Sequence, residues 1–467
     1  MAALWFALPA LADTIVLKNG RRIVAASVVE EKDHVSYETP AGRLRLPRSI
    51  VARIERGGPA PFATDRAAAL EISPPLLATN LTNSDVAALA VRGGSVDREY
   101  ISRLEAAAQG GSAAAVNRVA VAHHAAAQFE VNNGNTDQAI DHYRRALSFT
   151  PGQTGLLLQI AYLHLRRSEY TPALDYLERA RRVSPDSPEA AKLAGWAYYG
   201  QNRTEQAVEE WQRALRLRPD AQVEQALEKA RQELTVEARY REGESRHFVL
   251  RYHGGAAPEL AKDVLRTLEE HFRAMESELN FAPAEPIGVI LYTNQAFADI
   301  TRAPAWAGAV NDGRIRVPVQ GLSSVTADLS RVLKHELAHS FIQMKTGGKC
   351  PVWLHEGIAQ WLEGQRSSEY AALLVTAYER KASVPLKVLE GSWMNLPDQM
   401  AGYSYAWSLG VVEYIIATSG MRDVERLLDQ IATGTSLEAA CVSVLRMDYA
   451  ELEQETVKYL RRTYLRQ

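Results

Sequence analysis

The sequence predicts a multidomain α+β protein: a small β module, then a helical solenoid, then a C-terminal domain mixing strands and helices. Three observations carry this. Residues from Asp13 to about Glu55 alternate apolar and polar positions between turn signals. From about 97 to 236 the chain is helical and repeats itself every 34 positions. Beyond about 245 short strand patterns give way to amphipathic helices.

Length and composition set the frame. A chain of 467 residues, 46% apolar and 23% charged, is an ordinary globular composition with room for three domains. A formal charge of −3 gives no reason to expect nucleic acid or an anionic membrane as partner. Two cysteines, Cys350 and Cys441, are too few for a disulfide framework or a Cys-rich zinc site, leaving one bridge or two separate thiols. Residues 1–12 read as the apolar core and cleavage site of a secretory signal, with Ala10-Leu11-Ala12 before Asp13. The basic segment that normally precedes such a core is missing, which suggests a start further upstream; the alternative is a buried N-terminal strand or helix. Twelve apolar residues are too short to span a bilayer. The mature chain is therefore expected to be exported, to a bacterial periplasm or the extracellular space, without a membrane span.

The β module, residues 13–56, opens with two short strands around Asn19-Gly20, a tight-turn signal. Val28 to Glu30, Val35 to Thr39, Arg43 to Leu46 and Ile50 to Ile54 continue the series, as in a small SH3-like β-barrel. Residues 57–96 are a linker, marked first by Gly57-Gly-Pro-Ala-Pro61.

In the solenoid, residues 97–236, Ala139, Ala173 and Ala207 are 34 apart, as are Ala146, Ala180 and Ala214, and Pro151, Pro185 and Pro219. Ala127, Ala161 and Gly195 keep the helix–helix contact small, and Tyr143, Leu177 and Trp211 fill the large apolar site. This is the tetratricopeptide period and pattern, with repeats at about 120–153, 154–187 and 188–221 and extra helices on both sides. Such a stack offers a concave surface for a peptide or protein partner, or serves as a rigid spacer.

The third domain spans 245–467. His247 to Tyr252 alternates as a strand, Glu259 to Leu279 is an amphipathic helix, and Pro286 to Tyr292 is a buried strand. The charged stretch Glu237 to Arg246 reads as a hinge, and Pro318 places Arg314 to Val319 at a sheet edge. A helix follows, capped by Ser324 or Thr326, and it contains His335-Glu336-Leu-Ala-His339. Two histidines four apart share one helical face, and Glu336 follows the first. Hydrolysis on zinc needs such a pair, a third protein ligand and an open position for water.

Twelve residues past His339 begins Pro351-Val-Trp-Leu-His355-Glu356-Gly357-Ile-Ala359. With H-E-x-x-H before it, this segment resembles the gluzincin, or peptidase MA-like, metallopeptidases over about residues 245 to 420. The resemblance implies a zincin-like domain with Zn²⁺ held by His335, His339 and Glu356, in a W-L-x-E-G-x-A context carried by Trp353, Leu354, Glu356, Gly357 and Ala359. Relatives often place Asn before that Glu; here it is His355, which is the alternative ligand, or packs, or bonds to substrate. A metzincin continuation is excluded by Ile342 and Lys345. Related peptidases carry a Tyr in a Y-x-x-S stretch that stabilises the oxyanion. Tyr405 with Ser408 fits best and Tyr403 second.

On this reading Glu336 is the general base and Tyr405 assists. The protein is an exported zinc metallopeptidase, an endopeptidase because the amine-binding motif of the aminopeptidase branch is missing. Its substrate is a protein or peptide, with the repeats recruiting substrate or partner. The alternative is a non-catalytic scaffold whose zinc site is structural or vestigial.

Overall fold

The computed structural model describes residues 12–18, 22–25, 28–31, 33–39, 42–58, 72–75, 83–253, 258–301, 309–319, 322–391, 393 and 398–465. Most of the signal-like segment, the Asn19-Gly20 turn and residues 59–71 and 76–82 of the linker lie outside the described residues.

Six strands come first: β1 (Ala12–Leu17), β2 (Arg22–Ala25), β3 (Val28–Glu30), β4 (His34–Thr39), β5 (Gly42–Pro47) and β6 (Val51–Gly58). They form two three-stranded sheets, ordered β2-β1-β6 and β3-β4-β5. Alternation sends Ile15, Val28, Val35, Tyr37 and Val51 into a shared core. The last strand continues through Gly58, which pairs with Ala12.

Helix α1 (Ser84–Ala90), strands β7 (Val91–Arg92) and β8 (Ser95–Val96), and helix α2 (Arg98–Ala108) lead into the solenoid. Asn83 and Asp97 cap the two helices through their side chains. The β7–β8 hairpin turns on Gly93-Gly94, with φ of 58° and 77°, the left-handed backbone that a two-residue turn demands.

The solenoid pairs α3 (Ala113–Asn132) with α4 (Thr136–Phe149), α5 (Thr154–Arg166) with α6 (Tyr170–Val183), and α7 (Pro188–Gly200) with α8 (Thr204–Leu217); α9 (Ala221–Glu237) closes it. Ala127, Ala161, Ala139, Ala173 and Ala207 are all fully buried at the helix contacts. A Cβ on Gly195 would collide with the Trp211 indole, so the third repeat needs glycine where the others take alanine. Each repeat turns through the same left-handed position: Gly134, Ser168 and Asn202.

The C-terminal domain contains β9 (Tyr240–Glu244), β10 (Phe248–His253), α10 (Pro258–Leu279), β11 (Ile287–Tyr292), α11 (Asn294–Thr301), β12 (Val310–Asn311) and β13 (Ile315–Pro318). Helices α12 (Ala327–Thr346), α13 (Val352–Glu363), α14 (Ala371–Glu379), α15 (Asp398–Ser419), α16 (Met421–Ala432), α17 (Leu437–Leu445) and α18 (Tyr449–Leu460) follow. The sheet order is β12-β13-β11-β10-β9. Phe248, Leu250, Val289, Leu291, Ile315 and Val317 share one core with α10, α12, α13 and α15. Ile290, Tyr292, Arg314 and Arg316 face the other way, toward the end of the solenoid.

Two expectations are corrected here. The stretch read as a charged hinge is strand β9, antiparallel to β10, its alternation hidden because both of its faces carry charges. The strand placed at the sheet edge, β13, is flanked by β11 and β12. Pro318 is its last residue, beyond the β12 pairing, so the missing N–H costs no ladder bond on that side.

The solenoid meets this domain along its repeat turns. Lys349 Nζ donates to the carbonyls of Gly134 and Ala432 at 2.9 and 2.7 Å. The Glu285 carboxylate accepts from Thr171 N at 2.6 Å and Gln201 Nε2 at 3.3 Å. Among the described residues no helix is long and apolar enough to cross a membrane.

Candidate metal centre

Helix α12 runs through the middle of the domain. Thr326, one of the two expected caps, accepts from Leu329 N at 3.1 Å, and Gly347 ends the helix in left-handed backbone. Nearly every residue from Val332 to Ile342 is buried, so the histidine face is enclosed rather than solvated. Helix α13 presents Glu356 to it. Trp353 and Leu354 are fully buried and anchor α13 in the core. Gly357 explains the glycine after that glutamate: a Cβ there would strike the Ser408 carbonyl and lie 2.6 Å from Val412 Cγ2, forcing α15 away.

His335, His339 and Glu356 offer ligand atoms that all lie within 4.8 Å of one another. The two Nε2 atoms are 3.0 Å apart, and Glu356 Oε2 is 3.7 Å from His335 Nε2 and 3.6 Å from His339 Nε2. A tetrahedral zinc with bonds near 2.0–2.1 Å separates its ligand atoms by roughly 3.4 Å, so this triangle has the size that zinc requires. Two imidazoles and one carboxylate are also a donor set that zinc accepts. The described residues contain no other His, Cys, Asp or Glu group of that kind.

The alternative ligand, His355, does not join the triangle. Its Nε2 lies 3.3 Å from the His339 carbonyl, and its ring packs edge-on against His339 at 4.6 Å. Successive helical residues point about 100° apart, so α13 turns only one of the two adjacent side chains inward.

Glu336 is fully buried, and neither carboxylate oxygen has a hydrogen-bond partner among the described residues. Burial pushes its carboxyl up to about 7, the His335 imidazole pulls it down, and the Glu363 charge adds to the rise.

Sequence reasoning missed Glu363. Its carboxylate lies 3.6 Å from His335 Nδ1, the nitrogen turned away from the triangle. Helical spacing holds the signal: Glu363 stands seven residues, two turns, after Glu356 and so shares its face.

Tyr405 lies on α15, and its carbonyl accepts from Gln360 Nε2 at 3.1 Å. With Ser408 and Val412 it shares the face of α15 that packs on α13, and its ring meets Trp393 edge-on at 4.9 Å. Tyr403, two residues earlier, points elsewhere: it stacks toward Trp407, and its buried hydroxyl has no hydrogen-bond partner among the described residues. Cys350 and Cys441 are separate buried thiols.

Two imidazoles and a carboxylate thus converge, beside the buried Glu336, on a cluster that could hold a metal ion. Residues 271–462 match the family model of the Peptidase MA superfamily, and residues 193–221 match that of the tetratricopeptide repeat. The chain thus carries a Peptidase MA superfamily domain at its C-terminus, joined to tetratricopeptide repeats. No curated protein matches it. Among solved structures it is similar to the first tetratricopeptide domain of Spaghetti (RPAP3) bound to the HSP90 peptide SRMEEVD, at 22% identity over 25% of this chain and 93% of that one, TM-score 0.24. The first such domain of human RPAP3 also matches at 22%, over 25% and 92%, TM-score 0.24. MamA (MSR-1, C2) matches at 17%, over 29% and 82%, TM-score 0.23.

Proposed function

We propose that this protein is an exported zinc-dependent metallopeptidase, an endopeptidase acting on protein or peptide substrates, with its repeats recruiting substrate or a partner. One observation carries the reading: a buried carboxylate, Glu336, stands without a hydrogen-bond partner among the described residues, beside a His–His–Glu triangle of zinc dimensions. A purely structural metal site has no use for such a group, which is costly to bury without a partner.

His335, His339 and Glu356 hold the metal. When bound, zinc supplies Lewis acidity toward water and toward a peptide carbonyl. Glu336 accepts the proton of the attacking water and delivers it to the leaving amine nitrogen. Glu363 holds His335 with Nε2 turned inward. Tyr405 donates its hydroxyl hydrogen to the developing oxyanion.

Hydrolysis of casein or gelatin by the purified chain, compared with Glu336→Gln, tests this. Activity in the wild type and its loss in the variant support the peptidase. Equal activity in both rejects Glu336 as the base. Comparing exported fragments in cells carrying either form then identifies the substrate.

A further inference from the structure

Strand β12 holds only two residues, and its second, Asn311, reaches into the active-site helix. Asn311 Nδ2 donates to the Glu336 backbone carbonyl and to Ser340 Oγ, each at 2.8 Å, while its Oδ1 accepts from Gly313 N at 3.1 Å. One side chain therefore ties the turn bearing the general base to the turn just after His339. Among the described residues the Glu336 carboxylate has no hydrogen-bond partner to fix it, so the placement of its backbone decides where it sits.

What holds Asn311 comes from another part of the chain. β12 contributes just two ladder pairs, Val310 with Arg316 and Asn311 with Ile315, too little to fix a strand alone. The next residue, Asp312, is clamped by Arg316 Nε at 2.9 Å and by Lys229 Nζ at 2.6 Å. Arg316 Nη2 in turn meets Glu233 Oε1 at 2.8 Å, and Arg314 meets Glu233 Oε2 at 3.3 Å and the Tyr199 carbonyl at 2.8 Å. Lys229 and Glu233 lie one turn apart on α9, the closing helix of the solenoid. Arg314 and Arg316 are 1% and 0% exposed, so these are dry, paired charges in which each partner's position constrains the next.

We propose that Asn311 is a positioning residue for Glu336, and that α9 holds it in place through Lys229 and Glu233. The solenoid is then a working wall of the catalytic site as well as a recruiting surface. The proposal rests on the metallopeptidase reading above.

The test uses the full chain as wild type, Asn311→Ala, Lys229→Met and Lys229→Arg. Three quantities are read: kcat and KM on a fluorogenic casein-derived peptide, zinc per chain, and amide hydrogen exchange over 309–318. Lys229→Met leaves Asp312 its Arg316 partner, so the fold survives. Asn311→Ala is expected to lower kcat about 10- to 100-fold, with KM and zinc content nearly unchanged, as for a misplaced catalytic group. Lys229→Met is expected to lower kcat in the same sense and to speed exchange over 309–318, and Lys229→Arg restores both. Wild-type kcat in Asn311→Ala, or unaltered exchange in Lys229→Met, overturns the proposal while leaving the peptidase reading intact. A wild type that neither holds zinc nor cleaves peptide overturns both, and the two failures are thereby told apart.

Discussion

His335 stands between two carboxylates, its Nε2 3.7 Å from Glu356 and its Nδ1 3.6 Å from Glu363. Burial disfavours its charged form, yet Glu363 first, then Glu336 and Glu356, outweigh that and raise the imidazole to about 9. Independently of that charge, the Glu363 carboxylate on the Nδ1 side favours keeping a hydrogen on Nδ1, so that Nε2 is the nitrogen that would give up its proton to a metal. Glu363→Gln is expected to weaken zinc binding by about 10- to 100-fold. Competition with a chelating dye measures this, and unchanged affinity removes Glu363 from the site.

Glu336→Gln keeps the shape of the side chain and removes its basicity. Zinc content is expected to stay at the wild-type level while kcat falls by about 10²- to 10⁴-fold. Elemental analysis and peptide turnover on the same preparation read both quantities. Loss of zinc along with activity would instead make Glu336 a part of the metal's binding site.

The α13–α15 contact gives a pair of substitutions with opposite signs. A methyl at Gly357 meets the Ser408 carbonyl, which is backbone and cannot swing away, whereas at Gly402 it meets nothing within 4 Å among the described residues. Gly357→Ala is expected to destabilise by about 1–3 kcal/mol through overpacking. Gly402→Ala, on the same helix α15, is expected to stabilise by roughly 0.5–1 kcal/mol. Thermal melting of both variants checks this, and equal shifts would refute the packing account of the Glu356-Gly357 pair.

Acid is expected to loosen the first repeat. His123 Nδ1 and His142 Nδ1 are 3.0 Å apart, and His123 Nε2 is 3.1 Å from Glu105. Burial holds both imidazoles below their usual value of 6.5, prevailing over Glu105 at His123 and over Glu130 and Asp141 at His142. The unfolded chain therefore takes up more protons than the folded one as pH drops through about 6.5, so stability is full above that value and declines below it. The lowest thermal transition should fall from about pH 7 to about pH 5, and His142→Gln should flatten the trend. A slope that His142→Gln leaves unchanged contradicts this assignment.

The parts of this architecture that were legible in the sequence are those written with a period. Small residues 34 apart mark the solenoid, and two histidines one turn apart mark helix α12. Glu356 came from resemblance, not from spacing, because the loop between α12 and α13 decides how the two helices cross. Strand β12 is two residues long and has no alternation to detect. Arg314 and Arg316 look like the solvated face of an edge strand. They are buried because Glu233, some 80 residues earlier, compensates them, and no local pattern encodes that partnership. Glu363 was within reach of helical spacing, and Asn311 was not.

Everything proposed for the site depends on His335, His339 and Glu356 meeting at one cation, and zinc per chain measures that most directly. Elemental analysis of the dialysed wild type is expected to give about one zinc per chain, and His335→Ala with His339→Ala close to none. A folded wild type without zinc, or a double variant that keeps it, would contradict the account.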